Sequence, residues 1–119
     1  MNEIQIKNSL TDLNSLVMSG QFMEAFEKYY HDDVVMQENS APAVKGKIAN
    51  RKREVEFLND LLEFRSASVK ELAIGNNISF VIWSYDYTHK HWGVRNYTQV
   101  SVQHWQDGLI VKEEFFYGN

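Results

Sequence analysis

Residues 94–117 read VRNYTQVSVQHWQDGLIVKEEFFY. Successive side chains of a strand point to opposite faces. Alternation therefore puts Tyr97, Gln99, Ser101, Gln103 and Trp105 on one side and Thr98, Val100, Val102 and His104 on the other. Asp107-Gly108 supplies the backbone freedom of a two-residue hairpin turn. Leu109 to Tyr117 then forms the return strand, with Glu113, Phe115 and Tyr117 on one face and Glu114 and Phe116 on the opposite one.

Working outward, Ile78 to Thr88 is rich in β-branched and aromatic residues and reads as another long strand. Val81, Trp83, Tyr85 and Tyr87 share one face; Phe80, Ile82, Ser84 and Asp86 share the other. Which face joins the Tyr97 row depends on the register at the His91-Trp92-Gly93 tip, because a one-residue slip exchanges the two. A turn centred on Trp92-Gly93 would bring Asp86 into that row. A further strand spans Ser66 to Ile74 and ends at the turn composition Gly75-Asn76-Asn77.

The first half has helical spacing. Ile6, Leu10, Leu13 and Val17 mark one helix, closed by Gly20. Phe22, Ala25, Phe26 and Tyr29 mark a second, which His31-Asp32-Asp33 interrupts. Val34 to Met36 reads as a short strand extending to Glu38, followed by a loop from Asn39 to Lys47. The spacing predicts a third helix over 48–64, with Ile48, Val55, Leu58 and Leu62 inward and Arg51, Lys52, Arg53 and Glu54 mostly on its solvated side. Helices followed by a run of strands define an α+β class.

The chain has 119 residues, suited to a single domain over 1–119. Seven Phe, six Tyr and three Trp exceed what a small core needs, so some should line a cavity or an interface. A net charge of −4 gives no general attraction for phosphate backbones, and nucleic acid is not expected as a partner. With no cysteine, thiolate catalysis and cysteine-ligated metals drop out. The N-terminus lacks a signal-peptide pattern and no run is long and apolar enough to span a membrane, so a cytoplasmic location is the default expectation.

Two stretches carry a family resemblance. Phe26-Glu27-Lys28-Tyr29-Tyr30-His31-Asp32-Asp33-Val34-Val35-Met36 resembles the passage from the second helix into the first strand of the nuclear-transport-factor-2-like superfamily, and of its SnoaL-like members in particular. Trp105-Gln106-Asp107-Gly108-Leu109-Ile110 onward to Tyr117 resembles that family's last hairpin. The resemblance covers nearly the whole chain. It implies a cone-shaped curved antiparallel sheet packed on three helices, a pocket inside the cone and a homodimer through the outer sheet face. It does not imply one chemistry, because the fold hosts many.

Ketosteroid isomerases are similar in layout, and their carboxylate base corresponds to Glu38 here. A carboxylate in apolar surroundings is raised towards neutrality and can move protons at physiological pH. The departures are plain: the isomerase phenol falls near Leu13-Asn14, and the protonated acid near Ser101. The resemblance turns the Tyr97 row and the Glu113 face inward. The candidate catalytic residues are therefore Glu38, Ser101 and Glu113. Asn14, Tyr97, Gln99, Gln103 and Tyr117 are the candidate residues for binding a small, partly apolar ligand. His89-Lys90-His91 has two-ligand strand spacing but lacks a third ligand and reads as an exposed tip. No cofactor or metal is expected. Two functions stay open: a cofactor-free isomerase- or hydratase-type enzyme, and a non-catalytic dimeric binding module.

Overall fold

The structure, a computed structural model, describes residues 1–118. Helix α1 spans Glu3–Met18. Asn2 opens it with a reciprocal capping box: its side chain accepts from Gln5 N at 2.9 Å and Gln5 Oε1 accepts from Asn2 N at 3.0 Å. Gly20, at φ +80°, closes it: Gln21 N donates to Leu16 O and Gly20 N to Val17 O, the paired bonds of a Schellman turn. Helix α2 spans Phe22–Tyr29. Together the two helices bury Ile6, Leu10, Leu13, Ala25, Phe26 and Tyr29 against the sheet.

Strand β1 is Tyr30–Glu38, β2 Val44–Lys45, α3 Lys47–Asn59, β3 Leu61–Gly75, β4 Ile78–His89, β5 Gly93–Gln106 and β6 Leu109–Tyr117. They form one six-stranded sheet in the order β2-β1-β6-β5-β4-β3. All pairs are antiparallel except β1 with β6, which is parallel and places Met36 opposite Glu113 and Glu38 opposite Phe115. Asp107 and Gly108, at φ +51° and +86°, make the β5–β6 turn, as a type I′ hairpin requires. Three irregularities in β3, after Leu61, Phe64 and Val69, bend that edge. The sheet curves round the helices without closing.

The third helix differs from its sequence reading at both its end and its face. It stops at Asn59, and Leu61 to Phe64 belong to β3, paired with Tyr87 to His89. Leu-Leu-Glu-Phe is compatible with a helix, but here the ladder offered by the far end of β4 outweighs local propensity. Ile48 is 82% exposed, and Val55 and Leu62 are also exposed. Asn50, Glu54 and Phe57 face inward instead. The reason is that α3 lies over the β1–β2 corner and a cavity rather than a dry core. Asn50 Nδ2 donates to Val44 O at 3.0 Å and Gly46 O at 2.8 Å, pinning the helix start to that corner. His31-Asp32-Asp33 does not interrupt the chain before a strand; it lies inside β1, at the irregularity in its pairing with β6.

Candidate functional site

The β4–β5 register runs unbroken from Ile78 opposite His104 to His89 opposite Gly93. It sets Tyr85 opposite Tyr97, so Val81, Trp83, Tyr85 and Tyr87 join the inward row. Asp86 takes the outer face, where Arg65 Nε donates to it at 2.8 Å.

Two chambers lie between this inner face and the helices. The inner one, ≈ 100 Å³, is lined by Asn14, Tyr30, Glu54, Ser101, Gln103 and Glu113 among others. The outer one, ≈ 790 Å³, is bordered by Glu38, Phe57, Tyr97, Gln99, Arg95 and Tyr117 among others. Met36, Glu54, Tyr85 and Phe115 line both, so these side chains stand where the two chambers meet. The candidate residues divide accordingly. Asn14, Ser101, Gln103 and Glu113 meet in the inner chamber; Glu38, Tyr97, Gln99 and Tyr117 border the outer one.

Glu113 is the most enclosed acid, at 2% exposure. Its Oε1 accepts from the Tyr30 hydroxyl and its Oε2 from Gln103 Nε2 at 3.0 Å. Burial pushes its carboxyl up to about 7; the bonds from Tyr30 and Gln103 oppose that by stabilising the charge, and the Glu54 carboxylate adds to it. Tyr30 is held well above the ordinary phenol range by burial and by the Glu113 charge, so it stays a donor.

The amide of Gln103 is oriented by a chain of bonds. An indole N–H can only donate. Trp105 Nε1 donates to Ser79 Oγ at 2.8 Å, Ser79 Oγ donates to Gln103 Oε1 at 2.6 Å, and Gln103 must then offer its NH₂ to Glu113. Ser101 Oγ accepts from Gln99 Nε2 at 3.3 Å. Among the described residues, Asn14 Oδ1 is buried in the chamber wall without a partner.

Two residues depart from their sequence reading. Glu38 is not an acid in apolar surroundings. Its side chain is 42% exposed at the mouth, where Arg53 pairs with it at 2.9 Å and Tyr117 Oη donates to it at 3.3 Å. Glu54, read as solvated, lines both chambers. Burial raises it to about 7, with Glu38 raising it further and Arg53 lowering it. Its alignment with Asn50 and Phe57, one helical turn away on either side, was the available signal, hidden because Asn and Glu look like surface residues.

His89 is no exposed tip. It ends β4, is buried, and stacks on Trp92 at 3.9 Å between ring centres. His104 lies on the outer face beside Glu114. Among the described residues, no cluster of three or more His, Cys, Asp or Glu could hold a metal ion. No described helix is long and apolar enough to cross a membrane.

The family model described as a SnoaL-like domain matches residues 4–117, and the chain belongs to that family. No curated protein matches the sequence. Among solved structures, one from Mesorhizobium loti, provisionally assigned as a SnoaL-like polyketide cyclase, superposes with a TM-score of 0.83 at 24% identity, covering 94% of this chain and 98% of its own. An NTF-2 like protein of unknown function from Burkholderia xenovorans LB400 gives 0.79 at 18% identity over 100% and 87%. A provisionally assigned isomerase from Rhodopseudomonas palustris gives 0.73 at 12% identity over 100% and 93%. At such identities the likeness is one of fold, the cystatin-like, NTF2-like architecture described above.

Proposed function

We propose that this SnoaL-like domain holds a small, partly apolar molecule and moves a proton on it without a cofactor, in an isomerase- or hydratase-type reaction with Glu113 as acid/base. The observation that carries the reading is the enclosed Glu113 carboxyl, raised to about 7 and fixed by Tyr30 and Gln103. A group balanced near neutrality can both take and return a proton. Glu54, also about 7 and coupled to Glu113 by charge, is the second carboxyl. Between them, one proton held and one absent give a donor and an acceptor at neutral pH.

Ser101 makes no donating bond among the described residues, so its hydroxyl is available to charge developing on a substrate oxygen. Asn14 Oδ1 has no hydrogen-bond partner among the described residues and would accept from a substrate donor that reached it. Tyr97, Gln99 and Tyr117 shape the outer chamber, and Glu38 with Arg53 forms its mouth. The relative provisionally assigned as an isomerase is consistent with this chemistry.

The reading includes a homodimer through the outer sheet face. Register places Phe80 beside Val102 and sets Ile82, Val100 and Phe116 side by side across three strands, with Phe80 and Phe116 exposed. A contiguous apolar band of this kind needs a cover.

The test is deuterium exchange α to the carbonyl of small ketones such as cyclohexanone, followed by proton NMR in D₂O. The wild-type protein should accelerate exchange, Glu113→Gln should lose about 10²–10⁴-fold of that acceleration, and Glu38→Gln should stay close to wild type. Unchanged exchange in Glu113→Gln would defeat the assignment. Ketones that bind without exchanging would favour the second reading, a dimeric binding module, for which the unpartnered Asn14 Oδ1 speaks equally.

A further inference from the structure

Two hydrogen-bond donors of the outer chamber lack a protein acceptor among the described residues, and both belong to the β4–β5 hairpin. His89 is 3% exposed. Its Nδ1 accepts from the His91 backbone N–H at 3.2 Å, which leaves the proton of the neutral ring on Nε2. That Nε2 is buried without a partner, in a residue that lines the outer chamber. An unpaired buried N–H is a standing cost that a ligand oxygen would relieve.

Arg95 is the second donor. It sits opposite Tyr87, while His89 sits opposite Gly93, so Arg95 and His89 are diagonal neighbours, roughly 7–8 Å apart by sheet geometry. The guanidinium lies over the Tyr97 ring, 4.6 Å from its centre, and among the described residues no carboxylate pairs with it. Of the neighbouring acids, Glu38 pairs with Arg53 at 2.9 Å, Asp60 lies 3.2 Å from His91 Nε2, and Glu56 is exposed at the rim. Arg95 is thus a guanidinium of this chamber without a carboxylate partner among the described residues.

Apolar rings join the two donors. Phe57 lies 5.5 Å from Tyr87, 5.4 Å from His89 and 6.0 Å from Trp92. Phe115 and Glu54 line this chamber too, and both also line the inner one.

We propose that the outer chamber binds an organic carboxylate with an apolar body, one carboxylate oxygen on Arg95 and the other on His89 Nε2–H, the body lying along Phe57 and Phe115. The assignment rests on the proton-transfer reading only for its direction: the end remote from the carboxylate is the one presented to Glu113. A guanidinium and an imidazole N–H are charge-assisted and neutral donors that suit an oxyanion, and the ≈ 790 Å³ chamber has room for a medium-length chain.

The experiment measures binding of octanoate and of octanamide, which differ chiefly in charge, by calorimetry and by fluorescence of the exposed Trp92. Wild-type protein should bind octanoate about tenfold or more tightly than octanamide, as charge-assisted bonds exceed neutral ones. Arg95→Met should bring the two ligands close to equal affinity. His89→Phe should weaken octanoate while keeping the ring wall; Arg95→Met, on a partly exposed side chain, covers the case in which the buried His89 variant fails to fold. Glu113→Gln should keep the preference for the acid, so loss of exchange activity and loss of anion selectivity report on separate claims. Equal binding of acid and amide by the wild type, no binding of either, or an undiminished preference in Arg95→Met would each overturn the proposal.

Discussion

Gln103 Nε2 donates to Glu113 Oε2 at 3.0 Å across the β5–β6 ladder, where the two residues stand directly opposite one another. The bond's direction is set two residues away, by an indole. Trp105 can only give its hydrogen to Ser79, Ser79 passes its own to Gln103 Oε1, and the amide is left with its NH₂ group towards the acid. Ser79, Gln103 and Trp105 are all buried, so water cannot substitute for a missing member.

Ser79→Ala breaks this chain at its middle. It strands the buried Trp105 N–H and should cost about 1–3 kcal/mol of stability. It also frees the Gln103 amide to turn, removing a bond that favours the charged form of Glu113, so the Glu113 pKa should rise above about 7. Urea denaturation checks the first effect and carbon-13 NMR of the Glu113 carboxyl the second. An unchanged carboxyl titration would show that the chain does not orient the amide.

Glu113 makes stability depend on pH in a defined direction. Its folded pKa of about 7 lies above the ordinary 4.5, so the folded state holds a proton that the unfolded state has released. The contribution is fully present below about pH 4.5 and is lost as pH rises through about 7, with a swing on the order of 3 kcal/mol. Denaturation midpoints measured between pH 5 and pH 8 should therefore fall as pH rises, and Glu113→Gln should reduce that slope, leaving the part that belongs to Glu54. A wild-type profile that is level or rises across this range would contradict the burial of the carboxyl.

Tyr30→Phe keeps the ring that stacks on Phe26, 5.0 Å between centres, and deletes only the hydroxyl that donates to Glu113. The lost bond favoured the carboxylate, so the Glu113 pKa should move up and the fall in stability should extend to higher pH. Loss should be on the order of 1–3 kcal/mol where Glu113 is ionised and smaller below pH 5. Denaturation at pH 5 and at pH 8.5 separates the two; equal losses at both would assign the hydroxyl a purely structural role.

The outer apolar band predicts self-association. Phe80→Lys with Phe116→Lys places like charges on that face, on strands flanking β5, while leaving the pocket side of the sheet untouched. Light scattering should report a dimer for the wild type and a monomer for the double variant, with octanoate binding retained. A wild-type monomer at high concentration would remove the dimer.

Much of this architecture was legible in the residues themselves. Alternation has a covalent origin, so the residues from Tyr97 to Trp105 could be grouped on one face before any pairing was known, the family resemblance turned that face inward, and Asp107-Gly108 located the last hairpin. Helical spacing located α1 and α2, with the α1 boundary marked by Gly20. These are local properties, decided by neighbours within a few positions.

What depended on distant partners was not legible. The inward face of β4 follows from His89 pairing with Gly93, a register that local sequence leaves open. The end of α3 follows from a ladder that only β4 could offer to Leu61–Phe64. Glu54 lines both chambers because a cavity, not a packed core, lies beneath its helix, and Glu38 meets Arg53 at the mouth because α3 crosses β1 there. An acid's chemistry is set by the solvent and charge around it. The sequence therefore named carboxylates, and only the tertiary contacts decided which of them lost their water.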